Sequence, residues 1–327
     1  MAQVTPGGAI GDGEFLEGPE ERRRDREHRL ADFSSLERSR LRSTPGLYRR
    51  AWRRFRQNKV AVASLVVLTV IVLFIAGADL VSALTGFSAR ENHLSAKLTP
   101  PFTDGYVLGS YGNGRDILTR LAYGGRVSLM IALLATLSTL VIGMTLGLIA
   151  GYAGGWTDAL MMRLVDVMLS IPGLPLLILI SALFSPGAVL LAFVIAAISW
   201  PSLTRLLRGE VLSLRKREYI EAARVVGAPP ARILTKHLLP NVVPLAVIWA
   251  AISVPDLILV ETGLSFLGLG VQVPTPSWGN MLNEAQRFYR TAWTNVLIPG
   301  MFIFGTSLVL YLVGIGLRDA LDPRLSE

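Results

Sequence analysis

Residues 167–204 contain no charged side chain. About 20 apolar residues cross a hydrocarbon layer of ~30 Å, so this stretch is too long for one helix and too apolar for water. Ser185, Pro186 and Gly187 divide it into two segments, because glycine and proline interrupt helices. Residues 60–78, 127–157 and 291–317 are also free of charge. A further apolar segment starts near Asn241 and is interrupted by Asp256 and Glu261. The pattern predicts an all-α integral membrane protein with six transmembrane helices. Pro172 and Pro175 are expected to kink the third span, which neighbouring helices can tolerate.

Composition agrees with that class. Of 327 residues, 51% are hydrophobic and 17% charged, and the net charge is +8. The basic residues flank the apolar runs, which is the membrane pattern and not that of a nucleic-acid surface. The chain has no cysteine, and His28, His93 and His237 are scattered, so no metal site is predicted. The first thirty residues hold no apolar core for a cleaved signal peptide.

The expected organisation follows from these shifts. Residues 1–45, rich in Gly, Glu and Arg, read as a solvated tail, and 46–59 as a basic amphipathic segment with Trp52 and Phe55 at the membrane interface. The first helix is placed at 60–84, an extracytoplasmic segment at 85–126, a five-helix core at 127–320 and a short tail at 321–327. The basic residues before the first span and those at 205–236 fall on one side of a six-span chain. By the positive-inside rule that side, and both termini, are cytoplasmic.

The largest polar interruption is the loop 217–241. Residues 217–226 hold no helix breaker, and Gly227 follows at a natural stop. Pro229 and Pro230 can open a second short helix, which Pro240 is expected to end. Glu221-Ala222-Ala223, Gly227, Ile233 and Leu239-Pro240-Asn241 resemble the EAA loop of bacterial ABC importer permeases. In that family the loop is a coupling helix docked into a groove of the ATPase. The resemblance implies coupling contacts through Tyr219, Glu221, Ala222, Ala223, Gly227, Ile233 and Pro240. Glu221 can pair within the loop with Arg217 or Arg224, or meet a basic ATPase residue.

Two other segments resemble the dipeptide, oligopeptide and nickel importer permeases. The first keeps Gly109, Gly114, Arg115, Asp116 and Arg120, but has Ser110 and Tyr111 where relatives carry Thr and Asp. The second runs from Glu261 through Ser265, Gly268 and Gly270 to Trp278. By resemblance, Gly109, Arg115, Asp116, Ser265, Gly268 and Trp278 form an outer gate or a binding-protein contact; the alternative is an ordered loop with no ligand role. With the C-terminal segment 316–324, the likeness covers about residues 46–325 and best fits the C-type partner of the permease pair.

The resemblance implies the type I importer permease fold and a permease subunit of an ATP-driven importer for peptides or related solutes. It implies a second, B-type permease, two ATPase subunits, an extracytoplasmic solute-binding protein and surrounding lipid, all in a bacterial inner membrane. The chain itself is expected to be no enzyme and to hold no cofactor. It lacks the Gly-Lys-Ser/Thr phosphate loop, so ATP and Mg belong to the partners. The competing reading is a proton-coupled secondary transporter using Asp158, Asp166, Asp256 or Glu261, since acids within spans often mark proton paths.

Overall fold

The computed structural model describes residues 47–321. The expected tail 1–45, and the expected C-terminal segment beyond residue 321, lie outside them. The chain divides into two compact units, Met1–Arg50 and Ala51–Glu327. Of the first, only helical backbone at 47–50 is described.

Helix α1 (Leu47–Gln57) is the basic amphipathic segment. Its Phe55 is buried with Ala51, Ala61 and Ala320, while Trp52 is exposed. The Asn58 side chain caps α2 (Lys59–Ala76) by accepting the Ala61 N–H at 3.1 Å. Gly77 then separates α2 from α3 (Ala78–Thr85), so the expected single helix over 60–84 is two.

Helix α4 (Ile117–Ala153) is 37 residues long and starts well before the charge-free run at 127. Asp116 caps it, accepting the Thr119 N–H at 2.7 Å. The two arginines in its first turns do not end it because each is satisfied. Arg120 pairs with Glu284, and Arg126 donates to the Ile75 and Ala76 carbonyls and to Asp79. The expected boundary at residues 126 and 127 therefore falls inside a helix.

Helices α5 (Gly155–Ser170) and α6 (Gly173–Phe184) meet at 79° across Pro172. Next come α7 (Ala188–Leu214), the short α8 (Glu218–Val225), α9 (Pro230–Arg232) and α10 (Leu239–Phe266). The described residues close with α11 (Trp278–Ala285) and α12 (Thr294–Leu321). Among the described residues five helices are long and apolar enough to span a membrane, and six if the bent α5–α6 pair counts as one.

Pro240 does not end the second loop helix as expected. A six-residue π turn, Ile233–Leu238, joins α9 to α10 into one helical column. Proline lacks an N–H, leaving the carbonyl four residues back without its donor. The wider turn shifts the pairing, with the Leu239 N–H donating to the Leu234 carbonyl. The Asn241 side chain donates to the His237 carbonyl at 2.6 Å. The Leu-Pro-Asn sequence thus carries its own repair.

The bundle is centred on α4 against α7. Gly143, Gly147 and Gly151 recur at four-residue spacing and face Leu203, Thr204, Leu207 and Val211. In lipid no hydrophobic force drives helices together, so close backbone approach over small residues supplies the contact. This row fixes the end of α7, and with it the loop that follows.

Candidate functional site

At the Gly151 end, α8 is held along one face only. Its Ile220 is buried in one apolar cluster with Leu207, Val211, Ile233 and Leu238. The other face presents Tyr219, Glu221 and Ala222, with Ala223 half-buried. The helix stops through two hydrogen bonds. The Gly227 N–H donates to the Arg224 carbonyl at 2.9 Å, and the Ala228 N–H to the Ala223 carbonyl at 3.0 Å. This stop needs a left-handed residue, which Gly227 supplies at φ +83°.

Val225 and Val226 stand 88% and 87% exposed at the tip of the loop. Sequence reasoning missed them, because in so short a helix nothing in the residue pattern separates outward from inward valines. Two expected contact residues sit differently. Ile233 is buried and fastens the loop from inside, so it presents no surface, whereas Pro240 is exposed within the helical column.

Arginines seat the loop. The Arg224 guanidinium lies over the Tyr152 ring at 5.2 Å, and Arg215 donates to the Gly151 carbonyl at 3.0 Å. Arg208 holds Asp158 through hydrogen bonds of 2.5 and 2.6 Å, and Arg205 pairs with Asp166. Both acids are thus neutralised in place. Among the described residues Glu221 forms no ion pair; it is exposed and borders a hollow shared with Tyr152, Arg215, Lys216 and Arg224.

At the opposite end, the residues expected to form an outer gate or a binding-protein contact are mostly held in the chain's own packing. Gly109, Asp116, Ser265 and Trp278 are buried, Arg115 is half-buried, and Gly268 alone of the six is exposed. Gly109 sits at φ +88°, where an added Cβ would lie 2.6 Å from the Thr99 oxygen. The Trp278 indole donates to the Leu121 carbonyl at 3.0 Å and meets Phe302 edge-on at 5.4 Å. Glu261 is fully buried and accepts from Ser128 at 2.8 Å and Ser265 at 2.7 Å. Ser128 Oγ accepts the Trp278 N–H at 3.2 Å, and Ser265 Oγ the Val271 N–H at 3.1 Å. This polar chain ties α4, α10 and α11 together.

Arg120 donates to both carboxylate oxygens of Glu284, at 2.6 and 2.8 Å, and lies 4.9 Å from the Tyr111 ring centre. Tyr111 thereby faces the arginine through its ring. Burial alone would raise the Glu284 carboxyl; the hydrogen bonds and charge of Arg120, with Arg115 behind it, outweigh burial and hold it below the ordinary value. Burial pushes the Asp116 carboxyl and the Tyr111 phenol up.

Apolar spans, ion pairs at their ends and a loop helix held out from the bundle define a multi-span integral membrane protein. Residues 143–327 match the family described as binding-protein-dependent transport system inner membrane component, and residues 46–101 match the N-terminal TM domain of oligopeptide transport permease C. The oligopeptide transport system permease protein OppC of Haemophilus influenzae is 41% identical over 85% of this chain and 89% of its own length. The dipeptide permease DppC of Alkalihalophilus pseudofirmus is 39% identical over 86% and 91%. The glutathione transport system permease protein GsiD of Pectobacterium atrosepticum is 40% identical over 86% and 92%. An inward-facing structure of the MetNI methionine ABC transporter aligns with 62% of this chain and 96% of its own, at 21% identity and TM-score 0.48. The chain belongs to the family of inner membrane components of binding-protein-dependent transport systems. It is an ABC transporter permease of the inner membrane, and the family does not favour a proton-coupled secondary carrier.

Proposed function

We propose that the chain is the C-type permease subunit of an ATP-driven peptide importer, working with a second permease, two ATPase subunits and a solute-binding protein. The relatives named for oligopeptide, dipeptide and glutathione transport support the solute class. The loop end is cytoplasmic in this reading, as are both termini. ATP and Mg reside on the ATPases, and the chain holds no cofactor and catalyses no reaction.

The observation that carries the proposal is the exposed face of α8, with Glu221 exposed and Val225 and Val226 projecting. An eight-residue helix is marginal alone in water. Fixed from behind by Ile220, it offers a small apolar tip beside an exposed carboxylate, which suits a groove with a basic rim. ATP-driven closure then moves the spans through differential contact in the two states.

A tagged copy purified in mild detergent should bring down an ATPase and a second permease in constant ratio. A chain that elutes alone, and supports uptake in ATP-depleted vesicles under a proton gradient, would contradict the proposal.

A further inference from the structure

A groove of about 460 Å³ runs between α10 and α12, with Asp256, Thr262, Gly300, Ser307 and Tyr311 on its walls. Asp256 is the sole charged residue of α10 before Glu261, and it is exposed. At 1.5 Å per residue it lies roughly 15 Å in from the Phe266 end, within a layer of ~30 Å. The packed face of α12 brings no charge, since residues 294–317 contain none. Among the described residues no cation pairs with Asp256. A bare carboxylate facing lipid at that depth is costly, so such residues face protein or an aqueous path.

Two further polar residues border the groove, with their hydroxyl oxygens buried. Thr262 and Ser307 are each 8% exposed and line the groove, and neither hydroxyl has a hydrogen-bond partner. Gly300 keeps the space open, with no atom within 4 Å of the place a Cβ would take. Apolar walls, a few convergent polar groups and a volume inside the range of roughly 300–1,000 Å³ describe a small-molecule site better than a flat subunit contact.

We propose that this groove is a stretch of the solute path and that Asp256 receives the ammonium group of the travelling peptide. The inference rests on the peptide reading above. The amino terminus is the cation that every unblocked peptide shares, whatever its side chains. A carboxylate with no cation paired to it among the described residues reads that common end, and the apolar walls tolerate the rest. A basic residue of the second permease is the competing occupant.

The test uses the assembled importer in proteoliposomes, its partners freed of cysteine, with Ser307→Cys or Gly300→Cys in this cysteine-free chain. A cationic and an anionic methanethiosulfonate reagent of similar size are compared, with and without trialanine or N-acetyl-trialanine. The proposal expects faster reaction with the cationic reagent, loss of that preference on adding Asp256→Asn, and protection by trialanine but not by its acetylated form. It also expects Asp256→Asn to lower trialanine uptake about tenfold, the scale of one charge-assisted hydrogen bond. Two cysteine positions keep the assay open if one variant does not assemble.

Cysteines that react only when the second permease is absent would assign the groove to that subunit and overturn the proposal. So would equal trialanine uptake by the parental and Asp256→Asn complexes. Parental complexes that import no peptide contradict the peptide reading itself. Parental import with unchanged Asp256→Asn behaviour contradicts the groove alone.

Discussion

Arg120 and Glu284, 164 residues apart in sequence, meet through two parallel hydrogen bonds of 2.6 and 2.8 Å. The pair joins the first turn of α4 to the short α11. Its two members are not equally dispensable, because their side chains are 1% and 21% exposed. Glu284→Gln strands the buried guanidinium, at a cost of roughly 3–5 kcal/mol. Arg120→Met leaves a carboxylate that water and Arg115, 3.7 Å away, can still serve, at about 1–2 kcal/mol. Thermal melting in detergent should therefore rank Glu284→Gln as the less stable variant; the reverse order would place the pair's burial elsewhere.

The same carboxylate sets a pH dependence. Its folded value is depressed, so its stabilisation is whole above the unfolded value of 4.5 and is lost as pH falls through the folded one. The melting-temperature gap between the parental protein and Glu284→Gln should hold from pH 7 to about 5 and close below about 4.5. Asp116, raised by burial, changes with the opposite sign, but it is common to both proteins. A gap that widens on acidification would contradict the assignment.

The glycine row on α4 predicts a steric result. A Cβ at Gly147 would lie 3.0 Å from the Thr204 carbonyl oxygen, and one at Gly151 2.6 Å from the Val211 Cβ. Backbone cannot swing aside, so Gly147→Ala should destabilise by about 1–3 kcal/mol. Gly305→Ala, where nothing lies within 4 Å, should be nearly neutral. Melting curves of the two variants that coincide would show that α4 and α7 do not meet through this row.

The spans were legible because charge is so costly in lipid that its absence marks them. The ends were less so. Arg120 and Arg126 read as the edge of a loop, yet both belong to α4, since their partners Glu284 and Asp79 are distant in sequence. Pro240 read as a stop because the π turn that accommodates it depends on hydrogen-bond pairing that residue patterns do not display. Trp278 was assigned to an outer gate or a binding-protein contact, and residue patterns did not show that its indole N–H finds a carbonyl inside the bundle. At the loop, Gly227 was legible because the helix stop there needs a left-handed backbone. Val225 and Val226 were not, since only the turn's direction exposes them.

If the exposed face of α8 transmits force from an ATPase, as proposed, two substitutions on it should uncouple transport. Ala223→Trp enlarges its half-buried shoulder. Gly227→Val strains a φ of +83° with no new clash, as nothing lies within 4 Å of the added Cβ. Contacts of this kind are worth about 2 kcal/mol each at a hot spot. The decisive measurement is ATP-driven peptide uptake by complexes carrying both substitutions, normalised to the amount of permease inserted. Normal insertion and normal solute capture by the binding protein are expected, with poor ATPase association and little uptake. Uptake at the parental rate would contradict the proposal, leaving the loop a solvated connector between two spans.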